Sequence, residues 1–271
     1  MIRLICIDVD GTLVGSSGKV HDAVWADAAR MRAAGVRLAL CTGRPGFGDA
    51  RGYAARLDPA GWHVFQNGAS IVKLDSAESV SEPMGAERVA WLVARAGATG
   101  RVLELYTDAA YAVESDAPIA REHADLLGVP FPRRPFSDLE GAVVRGQWIV
   151  AAADAPAVLA EPHPGIEISG STSPLMPGTM FLNMTPAGVS KASAVRRIAR
   201  AYGVPLAEVM FVGDGDNDLG AMGVVGTAVA MGNAEPAVRA AAHRTVGHVD
   251  QGGLLEAFAL ARRRAPSPHA A

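Results

Sequence analysis

The chain has 271 residues, of which 49 % are hydrophobic and 20 % are charged, and its formal net charge is −3. This length exceeds that of a usual single domain, so we expect two domains. No apolar run is long enough to span a membrane, and the weakly negative charge argues against a broad nucleic-acid surface, although a local pocket for a phosphate-bearing small molecule stays possible.

The first residues and the cysteines indicate the compartment. Met1 is followed almost directly by an apolar run, which leaves no room for a signal peptide. Cys6 and Cys41 are too few for a disulfide framework, and both lie in apolar runs. We therefore expect a cytoplasmic protein with buried, reduced thiols and with neither a membrane nor a nucleic acid as partner. No feature of the sequence favours a particular oligomeric state.

The first part of the chain alternates between predicted strands and helices. The apolar run at 4–7 predicts a buried strand that ends in an acidic turn. In chain order, the next predicted elements are a helix over 21–34, a strand over 36–41, a helix over 45–57 and a strand over 62–65. This alternation predicts a parallel sheet with right-handed crossovers.

The pattern changes between residues 82 and 181 and then returns. The changed region predicts a hairpin at 101–107 and 109–114, a helix at 119–127, and strands at 147–152 and 166–169, with loops at 130–132 and 171–178. Alternation resumes with a helix at 189–202 and strands at 209–212 and 226–230. We therefore predict a catalytic core at 1–81 plus 182–264, an inserted α+β module at 82–181, and a disordered tail at 265–271.

Polar and acidic residues follow three of the predicted strands. Asp8 and Asp10 follow the first strand, Thr42 the second, and the turn 213–218 a later one. Because the carboxyl ends of parallel strands share one edge of a sheet, we expect these groups to lie together. Taken alone, Asp8-Val9-Asp10-Gly11 is equally typical of an acidic turn, and a lone threonine is more often a helix-start hydroxyl.

The composition of this set favours a hard metal ion. Clustered carboxylates repel one another unless a cation lies among them, and oxygen ligands without histidine or cysteine suit Mg²⁺. Lys191 is one of only three lysines, and a lysine gives a phosphoryl oxygen a compact point charge. The alternative for Lys191 is a helix-start lysine paired with a carboxylate at the surface.

Four segments together resemble the ordered motifs of the haloacid-dehalogenase superfamily. They are residues 8–13 (Asp-Val-Asp-Gly-Thr-Leu), residues 42–44 (Thr-Gly-Arg), Lys191, and residues 213–218 (Gly-Asp-Gly-Asp-Asn-Asp). Residues 67–69, 185–191 and 230–234 further resemble the Cof-like branch, whose members carry a large type IIB α/β cap between the second and third motifs. The chain departs from that branch at Ala192, where glycine is usual, and at Asn183, where an acidic residue is frequent.

The resemblance implies a Rossmann-like parallel-sheet core with an inserted α+β cap that sets substrate specificity. It also implies that Asp8 is the nucleophile, that Asp10 is the general acid and base, and that Lys191 completes the catalytic set. The implied Mg²⁺ ligands are Asp8, Asp10 through its carbonyl, Asp214 and Asp218, with Asn217 in support. The implied substrate-binding residues are Gly11, Thr42, Gly43, Arg44, Asn67, Lys191 and Asn217. Further candidates by position are Asn183 and the cap residues Tyr106, Tyr111, Glu114, Arg121 and His123.

These features predict a Mg²⁺-dependent phosphatase that hydrolyses a small phosphorylated metabolite, such as a sugar phosphate, through an aspartyl-phosphate. Asp10 favours hydrolysis, because a dehalogenase needs no acid for a halide and the resembling transport ATPases carry threonine there. A phosphotransferase of the phosphohexomutase type is the first alternative. A non-catalytic phosphate-binding or regulatory protein on the same fold is the second.

Overall fold

A computed structural model of the chain describes residues 1–76, 78–173 and 175–263. The predicted tail at 265–271 lies outside the described residues. The strands are β1 (Leu4–Ile7), β2 (Arg37–Leu40), β3 (Trp62–Phe65), β4 (Ser70–Lys73), β5 (Val102–Tyr106), β6 (Tyr111–Val113), β7 (Arg145–Ala151), β8 (Ile166–Ser171), β9 (Thr179–Pro186), β10 (Val209–Gly213), β11 (Thr227–Ala230) and β12 (Arg244–Thr245). The α-helices are α1 (Asp22–Ala33), α2 (Gly48–Leu57), α3 (Ala86–Thr99), α4 (Pro118–Leu127), α5 (Ala155–Leu159), α6 (Lys191–Ala201), α7 (Leu219–Met222), α8 (Pro236–Ala241) and α9 (Gly253–Arg262). None of these described helices is long and apolar enough to cross a bilayer.

The chain divides into two compact units. The first contains Met1–Arg44, Ala50–Val80 and the chain from Ser190 onward, and the second contains Pro45–Asp49 and Ser81–Val189. The predicted boundary between residues 181 and 182 falls inside β9. The whole of β9 belongs to the second unit, which ends at Val189. Helix α2 begins at Gly48 rather than at Pro45.

The first unit is built on a five-stranded parallel sheet with the strand order β12-β11-β10-β1-β2. All four residues of β1 are buried, because apolar side chains cover both faces of the sheet. Ile7 lies opposite Leu40 on one side and Val212 on the other. The carboxyl ends of β1, β2 and β10 are therefore level, and the residues after them meet at one edge. The predicted parallel-sheet core is confirmed.

The strand at 62–65 is present, but its predicted place in the parallel sheet is wrong. It pairs antiparallel with β4, and a single parallel bridge between Cys41 and Val64 joins it to the chain after β2. Gln66 and Asn67 both take left-handed conformations, with φ of 53° and 55°, so the chain reverses at once. Non-glycine residues seldom adopt this conformation, so the residue types at 66 and 67 do not predict the reversal.

Beside β3, the buried imidazole of His63 is held in one neutral form. Its Nδ1 accepts a hydrogen bond from the Leu40 N–H at 3.0 Å, and its Nε2 lies 2.8 Å from the Asp58 carbonyl oxygen. Because an N–H only donates, Nδ1 carries no proton and Nε2 donates to the carbonyl. Burial lowers the pKa of His63 to about 4.

Acid is therefore expected to destabilise the first unit through His63. A histidine whose folded-state pKa is depressed contributes its full stability above the ordinary pKa near 6.5 and loses it as the pH falls toward 4. Between about pH 7 and pH 5 we expect the free energy of unfolding to fall by about 2 kcal/mol more in the natural protein than in His63→Gln. Denaturant unfolding across this range measures the difference, and parallel pH curves for the two proteins would contradict it.

The second unit contains a five-stranded antiparallel sheet with the order β6-β5-β7-β9-β8. One face is apolar, with Leu105, Trp148 and Leu182 in its core. The other face carries a buried polar row, because Glu104 lies opposite Gln147 and Gln147 lies opposite Asn183. This mixed unit between the second and third motifs confirms the predicted inserted α+β fold.

Most of the candidate cap residues take part in contacts within this unit. Glu104 accepts hydrogen bonds from the Tyr106 hydroxyl at 2.6 Å and from Gln147 Nε2 at 2.9 Å, and it pairs with His123 Nδ1 at 3.0 Å. Arg145 donates to Asn183 Oδ1 at 2.8 Å. Tyr111 stacks on Tyr106, exposed Arg121 lies over Phe131, and exposed Glu114 accepts the Phe136 N–H. These contacts hold the unit together and assign no substrate role to the residues.

Candidate active site

Asp8 lies directly after β1, at the edge where the central strands end. Its backbone N–H donates to the Val212 carbonyl at 3.0 Å, which extends the ladder by one residue and fixes the start of the turn. The residue is 6 % exposed, and Oδ1 lies 2.6 Å from Lys191 Nζ. The strand thus delivers a carboxylate into a buried position beside a cation.

Lys191 is the first residue of α6, and the helix start is firmly built. Ser190 caps the helix by a capping box with Ser193, and Lys191 itself is 1 % exposed. Its Nζ donates to Asp8 Oδ1 and, at 2.7 Å, to Asp218 Oδ1. A Cβ at Gly68 would lie 2.2 Å from the Ser190 carbonyl oxygen, so only glycine lets the turn after β3 pack against this helix start. Lys191 is therefore a buried bridge between two carboxylates. The alternative of a helix-start lysine paired with a carboxylate at the surface is wrong.

Asp218 organises the acidic turn after β10. While its Oδ1 accepts from Lys191, its Oδ2 accepts the N–H groups of Asp214 at 3.0 Å and Gly215 at 3.1 Å. A Cβ at Gly213 would lie 2.3 Å from Asp218 Oδ2, so the chain closes tightly around this carboxylate. Asp218 consequently fixes both the turn and the lysine.

Two residues absent from the predicted site hold Asp214. The Thr12 hydroxyl donates to Asp214 Oδ1 at 2.7 Å, and Asn233 Nδ2 lies 3.4 Å from Oδ2. Asn233 also donates to the Gly11 carbonyl at 2.8 Å and accepts the Val249 N–H at 2.9 Å. Thr12 lies in segment 8–13 and Asn233 in segment 230–234, and both segments carry the family resemblance. Their place in these segments is the sequence feature that could have predicted a role at the site.

The electrostatics of this cluster favour a cation. Burial, together with repulsion from Asp218 and Asp214, raises the pKa of Asp8 to about 8 against the attraction of Lys191. Burial and the Asp218 charge likewise raise the pKa of Asp214 to about 6, although the Thr12 hydrogen bond opposes them. Burial alone would lower the pKa of Lys191, but the Asp8 and Asp218 carboxylates outweigh it and raise the pKa. The lysine neutralises only part of the local negative charge.

The donor set fits a hard divalent ion. Asp8, Asp214 and Asp218 offer carboxylate oxygens that all lie within 4.8 Å of one another. The donors are oxygens, and the raised pKa values mark unrelieved repulsion that a divalent cation would remove. These residues therefore fit the predicted Mg²⁺ through the chemistry and spacing of their donor atoms.

The absence of a side chain at Gly11 leaves space for the Asp214 carboxylate. Gly11 has a φ of +80°, and a Cβ there would lie 2.0 Å from Asp214 Oδ2. In Gly11→Ala we expect Asp214 to be displaced and Mg²⁺ binding to weaken by about tenfold or more. The matched control is Gly18→Ala, because Gly18 has a φ of +69° with nothing within 4 Å of its Cβ position.

The measurement is the upward shift of the unfolding temperature when Mg²⁺ is titrated into each variant. Both alanine variants are expected to lose similar stability from backbone strain, and only Gly11→Ala is expected to need more Mg²⁺. An equal Mg²⁺ response in the two variants would contradict the role given to Gly11.

Asp10 lies in the same turn as Asp8 but in a different environment. Its side chain is 63 % exposed and forms a two-pronged ion pair with Arg44, with Nε to Oδ2 at 3.0 Å and a terminal nitrogen to Oδ1 at 2.6 Å. The Arg44 N–H donates to the hydroxyl of fully buried Thr42 at 3.1 Å. Asp10, Thr42 and Arg44 thus form a second group of contacts at this edge.

The remaining predicted residues of the first unit lie next to Thr42. Asn67 donates its N–H to the Thr42 carbonyl at 3.0 Å and accepts from Asn217 Nδ2 at 3.1 Å. A Cβ at Gly43 would lie 3.1 Å from Asn67 Oδ1. Gly43, Asn67 and Asn217 are therefore brought together, whereas Asn183 belongs to the second unit.

The chain resembles known phosphatases over most of its length. It is 27 % identical over 272 residues to the protein named "Putative phosphatase YxeH" of Bacillus subtilis strain 168, covering 95 % of this chain and 97 % of the relative. It is 23 % identical over 239 residues to the HMP-PP phosphatase of Yersinia pseudotuberculosis serotype O:1b strain IP 31758, covering 88 % of this chain and 87 % of that one. The HAD subclass IIB sugar phosphatase BT4131 has the same fold, with a TM-score of 0.76 and 24 % identity over 95 % of this chain and 98 % of its own.

These relatives confirm the predicted enzyme class of phosphatase. The sequence profile of the haloacid dehalogenase-like hydrolases matches residues 5–145 and 161–258, which include every segment of the catalytic edge described above. The chain belongs to the haloacid dehalogenase-like hydrolase family.

Proposed function

We propose that this protein is a Mg²⁺-dependent phosphatase that hydrolyses a small phosphorylated metabolite through an aspartyl-phosphate on Asp8. The observation that carries the proposal is the buried Lys191, which bridges Asp8 and Asp218 beside Asp214. Burying one cation among three carboxylates is costly and serves no packing need, so a functional role accounts for it best.

In the first step, an Asp8 oxygen attacks phosphorus in line with the leaving oxygen. A bond forms between the carboxylate and phosphorus while the bond to the leaving oxygen breaks, and Asp10 gives that oxygen a proton. In the second step, Asp10 takes a proton from water, which attacks the same phosphorus and releases Asp8 and inorganic phosphate. The exposed position of Asp10 suits exchange with substrate and water, while buried Asp8 suits a fixed nucleophile.

Charge on the phosphoryl oxygens is balanced by neighbouring donors. Lys191 supplies a fixed positive charge next to Asp8, and the Thr42 hydroxyl is a further donor at the edge, whereas the Gly11 N–H donates to the Val14 carbonyl at 2.9 Å. When bound, Mg²⁺ would add positive charge beside the transferred group, and the carboxylates of Asp8, Asp214 and Asp218 would hold it. The family resemblance adds the Asp10 carbonyl to this set.

The proposed substrate class is a sugar phosphate or a similar phosphomonoester. The subclass IIB neighbour is named a sugar phosphatase, and the Yersinia relative is named for HMP-PP. Since these two proteins are named for different substrates, a panel of test substrates has to include both sugar phosphates and HMP-PP. No partner beyond the small molecule is proposed.

The test is release of inorganic phosphate from this panel with Mg²⁺ and with a chelator. Release that requires Mg²⁺ would support the proposal, and catalytic efficiency would rank the substrates. A phosphoryl group that moves to a second hydroxyl without phosphate release would indicate a phosphotransferase. Binding of phosphorylated compounds without turnover would indicate a non-catalytic protein.

A further inference from the structure

We propose that Arg44 is the residue that positions the Asp10 carboxylate for proton transfer, instead of acting mainly as a substrate-binding group. The inference rests on the proposed phosphatase function, because it assigns a task to Asp10 within that reaction.

The Asp10 side chain needs such a partner. It is 63 % exposed, whereas Asp8 and Asp218 are buried. Its backbone is held by a bridge to Val14, but this contact leaves the side-chain rotamer open. Among contacts between described residues, the hydrogen bonds to the Asp10 carboxylate come from Arg44, at 2.6 and 3.0 Å. One side chain therefore fixes the orientation of the carboxylate.

Arg44 is itself anchored on both sides of its backbone. Its N–H donates to Thr42 Oγ1 at 3.1 Å, and its carbonyl accepts the Gln66 N–H at 2.9 Å. Gln66 and Asn67 hold unusual left-handed conformations, a form of backbone strain that clusters at functional sites. The Arg44 backbone is thus held by Thr42 and Gln66, and this fixes the point from which its side chain reaches Asp10.

The geometry makes a guanidinium hard to replace. Two nitrogens in one plane meet two carboxylate oxygens, and this contact fixes the plane of the carboxylate as well as its distance. A lysine at 44 keeps the charge but offers a single point of contact. Because both Asp10 oxygens accept from Arg44, substrate entry has to free one of them, and this oxygen takes a proton from water before it gives one to the leaving oxygen. Arg44 consequently holds Asp10 ready without blocking it.

Leaving-group dependence separates positioning from substrate binding. An alkyl phosphate leaves as an alkoxide that needs a proton, whereas p-nitrophenolate is stable without one. In Arg44→Gln we expect kcat for an alkyl phosphate to fall by about 10- to 100-fold. The first-turnover release of p-nitrophenol and KM for both esters are expected to change by less than about threefold. Arg44→Lys is expected to recover only part of the alkyl phosphate activity.

A double-mutant cycle tests whether Arg44 acts through Asp10. On an Asp10→Asn background, Arg44→Gln is expected to cause no further loss, because the group that it orients is already absent. The matched control is Arg30→Gln, since the exposed Arg30 side chain pairs with buried Asp27 in α1 and Asp27 keeps Arg262 as a second partner, and this variant is expected to leave both activities unchanged. Thermal unfolding of each variant checks that the fold is retained.

Three results with Arg44→Gln would overturn the inference. Equal rises in KM for both esters with kcat unchanged would make Arg44 a substrate-binding residue. Equal losses of the first-turnover rate for both esters, or a further loss on the Asp10→Asn background, would also contradict positioning. If the natural protein released phosphate from neither ester nor from the metabolite panel, the proposed function would fail, and the inference with it.

Discussion

Replacement of Asp8 by asparagine is expected to reduce phosphate release by at least about a thousandfold while the fold stays intact. An amide has the shape of the carboxylate but is too weak a nucleophile to form the phosphoryl-enzyme. Lys191 keeps Asp218 as its partner in this variant, so no buried charge is left alone.

Activity toward a generic aryl phosphate and denaturant unfolding measure the two parts of this prediction. The matched control is Asp22→Asn, an exposed residue in the first turn of α1, which is expected to keep full activity. Retained hydrolysis of the aryl phosphate by Asp8→Asn would remove Asp8 from the role of nucleophile.

Replacement of Lys191 by methionine is expected to affect stability and activity together. The change leaves Asp8 and Asp218 buried without their shared cation, and uncompensated buried charge of this kind costs about 3–5 kcal/mol. Phosphate release is expected to fall by at least about 100-fold, since the lost charge also stabilises the transferred phosphoryl group. Denaturant unfolding and steady-state kinetics measure both effects.

Two further variants test the cause. Adding Asp218→Asn to Lys191→Met removes one unpaired carboxylate and is expected to restore part of the stability but none of the activity. Lys73→Met removes a partly exposed lysine paired with Asp75, so a change in the free energy of unfolding below about 1 kcal/mol is expected. An unchanged free energy of unfolding in Lys191→Met would contradict the buried ion pairs of Lys191 with Asp8 and Asp218.

The sequence predicted best those elements that form an uninterrupted apolar run. The apolar strand β1 precedes acidic residues, and a strand of this kind has few alternatives. Helix α3, whose apolar residues Val89, Leu92 and Ala96 recur at helical spacing, and strand β9 both went unpredicted. Only Leu92 of α3 is fully buried, and β9 carries the polar residues Asn183 and Thr185 at buried positions. Their place depends on tertiary contacts, which a local pattern does not contain.

The candidate site divides in the same way. Asp8, Asp214 and Lys191 could be placed together, because strand ends and helix starts meet at the edge of a parallel sheet. The tasks of Thr12, Asn233 and Arg44 depend on side-chain contacts between segments far apart in the chain, such as the 2.8 Å hydrogen bond from Asn233 to Gly11. Sequence spacing indicated the residue types near the site but not these pairings.

In the proposed reaction, the transferred phosphoryl group is carried on Asp8. An acid-quenched single turnover of Asp10→Asn with p-nitrophenyl phosphate labelled in the phosphoryl group tests for this intermediate. The good leaving group allows the first step, and loss of the proposed base slows hydrolysis of the intermediate, so labelled protein should accumulate. We predict that peptide mapping places the label on Asp8. A label on any other residue would contradict this role of Asp8. Release of inorganic phosphate as fast as release of p-nitrophenol, with no labelled protein, would contradict it as well.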